Sequence, residues 1–550
     1  MERHGGKILS DQLEKLGVKR VFSVPGESFL AALDGLYESG IQNVVCRQEG
    51  GAAMMAEAYG KMTGEAGVCF VTRGPGACNA SAGVHVAMQD STPMVLFVGQ
   101  IDNRQTDRET FQEVDYRAMF GGLAKWVAQV DDTERLPEYI ARAFRVAKSG
   151  RPGPVVLALP ENMLSARADV PDFSGQVSHG AGRVGPDVLS ALMASERPMI
   201  VIGGSQWSAA ANKGVAKLAE VTGAPVVTSF RRQDYMDNRH THFAGDLNVG
   251  VNPKLAARMR EADCLLLIGT RFGDIETQGY TLVDPADPKK AVLHIHADAD
   301  EIGRVYGADI GYVCRGDLAV EQLAITAATM EITPKWEAWR KAARADYEGW
   351  ITPFESPGAV KQEQVIKWLS DNLGDDAVLT NGAGNYAAWL HRYFVYKQHG
   401  TQLAPTSGSM GYGFPAAISA SLEYPDRDVV CLAGDGCFQM TCNELSTAVH
   451  HGAKPIVIVM DNGRYGTIRM HQEKHYPGRV SGTMLANPDW VALAKAYGGH
   501  GELVTDGVQF ADAFARAKAS GTVAIIACKI DEEALSTGAT LSAVRKAAGG

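Results

Sequence analysis

Three absences narrow the reading of this chain. There is no long apolar run: stretches such as Thr522 to Cys528 are far too short to span a bilayer. There is no basic run either. With 53 Lys and Arg against 63 Asp and Glu, the net charge of −10 argues against a general nucleic-acid binder. Finally, the nine cysteines contain no CxxC pair. An odd, scattered set of this kind reads as reduced thiols, without structural disulfides or zinc. The opening Met1-Glu2-Arg3-His4-Gly5-Gly6 lacks the apolar core of a signal peptide. The expectation is a cytoplasmic protein with no membrane partner.

What is present is an ordinary globular composition, 45% hydrophobic and 21% charged, over 550 residues, long enough for three domains. In the first segment Val21-Phe22-Ser23-Val24 leads into Pro25-Gly26-Glu27-Ser28. Gly67 to Val71 leads into Arg73-Gly74-Pro75-Gly76, and Met94 to Val98 into Gly99-Gln100. Strand, Gly-rich loop and helix in repetition predict an α/β fold with largely parallel sheets. A linker rich in Gly, Ser, Pro and Asp is expected at 166–187. A second set of strands follows (Met199 to Ile202, Pro225 to Thr228, Cys264 to Ile268, Val292 to His296), then a second, charged linker at 332–358 carrying Trp336, Trp339 and Trp350. The expected fold class is α/β, three doubly wound parallel-sheet domains at 1–165, 187–328 and 358–550.

The chemistry concentrates in the third segment. Val429 to Ala433 reads as a buried strand ended by Gly434-Asp435-Gly436, and Pro455 to Met460 delivers Asp461-Asn462-Gly463 to the end of its neighbour. Ligands in open α/β sheets bind beyond the carboxyl ends of strands, so the two loops can share one site. The Asp435 carboxylate, the Asn462 amide oxygen and the Arg464 backbone carbonyl are hard oxygen ligands suited to Mg²⁺, with room left for phosphate oxygens. The glycines and the following helix N-terminus suit the phosphate itself. Each motif alone is also an ordinary strand-end turn. Glu49 starts a helix in the first segment, where the dipole alone favours a carboxylate, and Glu57 further along is given nothing beyond that. His450-His451 sit at a helix end before Gly452 and fit the same explanation; His85 is a candidate pocket edge.

Gly434-Asp435-Gly436, the spacer and Asn462 resemble the signature of thiamine-diphosphate-dependent enzymes. Nearly the whole chain is similar to the acetolactate synthase-like branch of the pyruvate oxidase group. One departure is Asp461-Asn462 where the family has an Asn-Asn pair whose second member binds metal. The resemblance implies thiamine diphosphate and Mg²⁺ as cofactors, a pyrimidine-binding first domain and a diphosphate-binding third. Glu49 then falls where the family's glutamate touches N1′ of the aminopyrimidine, near Pro25, Gly26 and Gly76. Gly384, Asn385 and Tyr386 stand in the diphosphate-holding loop, where the family has glutamine and histidine at the last two. The Gly408 carbonyl faces the 4′-amino group, and Met410 is the wedge that bends the cofactor. Gly434, Asp435, Gly436, Cys437, Asn462, Tyr465 and Gly466 complete the cofactor contacts, with Asp435, Asn462 and Arg464 on the metal.

By the same resemblance the substrate pocket takes Gly26, Glu27, Phe111, Gln112, Lys125 and His471. The central domain of such enzymes holds FAD, ADP, coenzyme A or nothing, and Gly203-Gly204 with Thr270-Arg271-Phe272 leave that open. Two departures count against a biosynthetic acetolactate synthase. Asp274 is followed by Ile275 instead of the arginine that recognises a 2-oxoacid carboxylate, and His471 aligns with the acceptor-selecting tryptophan. Arg231-Arg232 are available to bind an anion from another direction. The implied activity is a carboligase or decarboxylase, a transferase or lyase, acting on a 2-oxoacid. The alternatives are a 2-hydroxyacyl-CoA lyase or another CoA-thioester or 2-oxoacid decarboxylase, and an inactive cofactor-binding homologue, against which intact Glu49, Asp435 and Asn462 speak. A homodimer or homotetramer with active sites at the subunit interface is expected, since Glu49 and the phosphate loops lie in different domains.

Overall fold

Continuous runs of valine, isoleucine and leucine become the central strands of three six-stranded sheets, each parallel throughout and buried on both faces. The computed structural model describes residues 2–173 and 182–549, so the middle of the expected first linker lies outside the described residues. The first sheet runs Gln42–Val45, Arg20–Ser23, Gly67–Val71, Met94–Gln100, Pro154–Pro160, Trp126–Gln129. Numbered within the domain, that order is 2-1-3-4-6-5. The third sheet runs Gln402–Leu403, Val378–Asn381, Val429–Gly434, Ile456–Asp461, Ala524–Lys529, His500–Val504, which is the same order. The central sheet has the order 3-2-1-4-5-6, from Phe243–Asp246 through Pro198–Ile202 to Ile310–Val313. In all three, connections reverse direction beside the first strand, which opens a crevice at the strands' carboxyl ends.

The segment expected as a second linker is instead helical: Glu337–Trp350 packs on the central domain. The Trp339 indole donates to the Pro198 carbonyl at 2.9 Å, and the Arg258 guanidinium lies 4.9 Å from its ring centre. Trp336, Trp339, Ala343 and Tyr347 recur at helical spacing, so the charges between them mark the solvent face of an amphipathic helix.

The first and third domains share one apolar core. Helix Glu49–Thr63 lies against helix Gly413–Glu423, and a single cluster runs from Phe22 and Met55 through Phe414 and Ala417 to Val457. Polar ties reinforce the joint. Glu57, fully buried, accepts from Thr92 Oγ1 at 2.6 Å and from the Tyr412 hydroxyl at 2.5 Å. Lys61, one turn on, pairs with Asp90 and donates to the Ala404 carbonyl at 3.0 Å, while Asp90 accepts the Thr406 N–H at 2.5 Å. Glu57 is thus more than a helix-dipole carboxylate. The His450-His451 pair also does more than close a helix: His451 Nε2 accepts the Val45 N–H at 2.9 Å.

Arg231 and Arg232 are buried and face inward. Arg231 donates to the Pro405 carbonyl, and Arg232 to the carbonyls of Gly204 at 2.6 Å and Asp90 at 3.2 Å. Their bonds to backbone carbonyls of all three domains fasten the domains together, while Arg231 Nε has no partner and Arg232 also lines a cavity beside Arg271 and Arg304. All nine cysteines are unpaired. No helix among the described residues is long and apolar enough to cross a membrane.

Candidate active site

The switch-point crevice of the third sheet holds a cavity of about 220 Å³. Strand Val429–Gly434 ends there, and Asp435 opens the short helix Asp435–Gln439. Gly434 stands in register with Met460, so the loop carrying Asn462 lies alongside. Asp435 is 2% exposed. Its Oδ1 accepts the Gly436 N–H at 2.9 Å, and its Oδ2 accepts the Gly463 N–H at 2.7 Å and the Asn487 amide at 2.8 Å. Burial pushes its carboxyl up, against the pull of the Asn487 and Gly436 bonds; a bound dication would hold it ionised.

The other oxygen donors follow from the loop. Asn462 Oδ1 accepts the Arg464 N–H at 3.2 Å. Arg464 bridges Met484 in an antiparallel pair whose ladder uses the Tyr465 N–H and the Gly463 carbonyl, which leaves the Arg464 carbonyl outside it. Asp435, Asn462 and Arg464 all line the cavity. One carboxylate, one amide oxygen and one carbonyl form the hard, all-oxygen set that Mg²⁺ takes. Among the described residues no group of three or more His, Cys, Asp or Glu offers a softer site.

The walls suit a diphosphate. Helices Tyr386–Tyr393, Asp435–Gln439 and Gly466–His475 all begin at the cavity, so backbone N–H groups and positive helix ends converge on it. Glycine is needed where rings pack over these loops. A Cβ at Gly384 would lie 2.7 Å from the Tyr386 ring, and one at Gly436 2.6 Å from that of Tyr465. Asn385 lines the same wall, tied to the Leu535 carbonyl at 2.6 Å and to Thr467 at 3.0 Å. Gly408, with φ of 68°, and Met410 line the opposite side. Cys437 stitches three loops together, its Sγ accepting the Gly411 N–H at 3.2 Å and the Tyr386 hydroxyl at 3.1 Å.

A second face forms at the carboxyl ends of the first sheet. Gln48 caps the helix that Glu49 begins, its Oε1 accepting the Gly51 N–H at 2.9 Å. Glu49 Oε2 accepts from Asn79 at 2.9 Å, and a Cβ on Gly76 would stand 3.3 Å from its Oε1. Gly26, beside Pro25, and Gly76 both pack on Thr72, and Gly74 packs on Gln112, whose φ is 65°. Gly26, Glu49, Gly76 and Gln112 are therefore brought together. Phe111 beside them is 72% exposed, and Glu27 pairs with the buried Arg73 at 3.3 Å.

Not every expected residue joins these two faces. Lys125 immediately precedes strand Trp126–Gln129, at the amino edge of the sheet and opposite Gly26 and Gly76. Its Nζ donates to the carbonyls of Val146 at 2.7 Å and Ser149 at 2.5 Å, and burial lowers its pKa to about 8. It therefore closes a helix end and does not edge a pocket with the others. His471 is exposed and outside the cavity, its ring stacked on His475 at 6.2 Å; His85 is exposed too. The two faces also stay apart within one chain. No first-domain residue lines the cavity, and the Glu49 helix is held by the Glu444 carboxylate, which accepts the Gln48 N–H at 3.0 Å. Sequence reasoning missed Thr72, Asn79, Asn487 and Leu535, which reach the site only through tertiary packing.

Comparison with known proteins matches three family descriptions in order along the chain. These are the thiamine pyrophosphate enzyme N-terminal TPP binding domain over residues 3–119, the central domain over 186–323 and the C-terminal TPP binding domain over 382–528. The chain is 32% identical to the acetolactate synthase large subunit of Corynebacterium glutamicum, across 90% of this chain and 81% of the relative. To the acetolactate synthase large subunit of Parasynechococcus marenigrum it is 31% identical, across 91% and 83%. To the acetolactate synthase isozyme 2 large subunit of Escherichia coli it is 30% identical, across 91% of each.

Proposed function

The chain belongs to the thiamine pyrophosphate enzyme family, in its acetolactate synthase-like branch, and on that premise we propose a Mg²⁺-dependent carboligase or decarboxylase acting on a 2-oxoacid. Thiamine diphosphate, when bound, supplies a carbon nucleophile that adds to a carbonyl and holds the electron pair left by C–C cleavage. Asp435, Asn462 and the Arg464 carbonyl would hold the metal. The N–H groups opening the helices at Tyr386, Asp435 and Gly466 would hold the diphosphate, and Met410 would wedge the cofactor against the Gly408 side. Glu49 would exchange a proton with the ring nitrogen N1′, the step for which a carboxyl at that face is suited. Because Glu49 lies away from the cavity of its own chain, the complete site is assigned to two copies, the first domain of one closing over the third domain of the other.

One observation supports this reading: three oxygen-donor residues suited to Mg²⁺ line a cavity on which three helix N-termini converge. Asp435→Ala and Asn462→Ala are each expected to abolish calorimetric binding of thiamine diphosphate together with its Mg²⁺ requirement. Unchanged affinity in both variants would remove the assignment. Ile275 after Asp274, where the resemblance expects the arginine that recognises a 2-oxoacid carboxylate, gives a specific reason to weigh a 2-hydroxyacyl-CoA lyase as the second reading. A panel of 2-oxoacids and 2-hydroxyacyl-CoA thioesters, with products identified by mass spectrometry on the loaded enzyme, separates the two.

A further inference from the structure

Beneath the oxygen donors lies a chain of polar groups that never reaches the cavity. Asp461 ends strand Ile456–Asp461 one residue before Asn462, and its carboxylate is almost fully buried at 3% exposure. A second buried carboxylate beside Asp435 would repel it and crowd the anion site with negative charge. Two arrangements answer this. The Asn487 amide stands between the acids, its Nδ2 within 2.8 Å of Asp435 Oδ2 and 2.7 Å of Asp461 Oδ1. Its own Oδ1 is held by Gln439 Nε2 at 2.8 Å, which fixes which way the amide faces. On the far side, Asp461 Oδ2 accepts the Trp490 indole N–H at 2.9 Å and pairs with Lys529. Lys529 is the residue directly opposite Asp461 in the parallel ladder, so the ion pair is set by strand register.

We propose that Lys529, Asp461 and Asn487 act as positioning residues: Lys529 cancels the charge of Asp461, and Asn487, anchored on Asp461, aims the Asp435 carboxylate at the metal. None of the three lines the cavity, so they act through Asp435 and, by the Gly463 N–H that Asp461 Oδ1 accepts at 3.2 Å, through the loop that carries Asn462. Supporting groups of this kind typically govern metal affinity by about 10- to 100-fold. The inference rests on the reading of Asp435 as a metal ligand.

The test uses Mn²⁺ as a paramagnetic substitute for Mg²⁺. Its binding to the full-length protein is followed by electron paramagnetic resonance, with and without thiamine diphosphate, and thiamine diphosphate affinity is measured at saturating metal. Asp435→Ala comes first, and wild-type Mn²⁺ binding in that variant would overturn the ligand reading itself. Asn487→Ala is expected to weaken Mn²⁺ about 10- to 100-fold. Lys529→Met, at a half-exposed side chain that can be shortened without disturbing the core, is expected to weaken thiamine diphosphate about tenfold by leaving Asp461 uncompensated. Adding Asp461→Asn to Lys529→Met removes the unpaired charge but leaves one oxygen where Asn487 and Trp490 used two, and is expected to recover part of the lost affinity. The proposal is overturned if Asn487→Ala or Lys529→Met binds as wild type does. It is equally overturned if the double variant is no better than Lys529→Met, because Lys529 would then act through something other than Asp461.

Discussion

The Tyr412 hydroxyl donates to Glu57 across 2.5 Å inside a fully buried joint, and so fastens the loop that carries Gly408 and Met410 to the helix that Glu49 begins. Burial pushes the carboxyl of Glu57 up, and Lys61 and Thr92 work against that. Tyr412→Phe removes one hydrogen bond to this group and is expected to destabilise the fold by about 1–3 kcal/mol in urea unfolding. Glu57→Ala leaves the Thr92 and Tyr412 hydroxyls buried without their acceptor and is expected to cost more, about 2–5 kcal/mol. A Tyr412→Phe midpoint equal to wild type would mean the contact contributes nothing.

Subunit mixing tests the shared site. Glu49→Gln keeps the hydrogen-bonding shape but cannot take a proton, while Asp435→Ala loses the proposed metal ligand. Each homo-oligomer is expected to be inactive. In a mixed dimer one of the two sites inherits both intact halves, so co-assembled subunits should regain part of the activity. No recovery in mass-verified mixed dimers, or full activity in a monomer, would rule the arrangement out.

Asp246 provides a pH signature independent of the reaction. It ends strand Phe243–Asp246, its Oδ2 has no partner, and burial raises its pKa to about 7 despite Asn248. Its folded pKa lies above its unfolded value, so the stability tied to its protonated form is intact below about pH 4 and is lost as pH rises through 7. Between pH 5 and pH 8 the wild type should therefore lose about 2–4 kcal/mol relative to Asp246→Asn, read by calorimetric unfolding. Parallel profiles for the two proteins would contradict this.

What could be read from the sequence was set by where the signal is local. Strands buried on both faces are unbroken apolar runs, so Val429–Gly434 and Ile456–Asp461 were visible, and with them the loops that place Asp435 and Asn462. Edge strands such as Gln402–Leu403 and His500–Val504 are short or mixed and carry little pattern. Lys125 follows the Phe111-Gln112 loop closely in sequence, but the chain crosses to the far edge of the sheet before strand Trp126–Gln129 begins. Asn487 and Lys529 meet Asp461 through a returning loop and a ladder register, neither of which leaves a trace in neighbouring residues.

The cavity draws every one of its lining residues from the third domain, whereas Phe111 and Gln112 ride on a loop of the first and Glu27 opens a single helical turn there. In the proposed reading, the anchor for metal and diphosphate and these substrate-facing loops lie on separate stretches of chain. Drift in the loops of one can retune selectivity without loosening the anchor in the other, which makes the first-domain loops the natural ground for laboratory evolution of this enzyme.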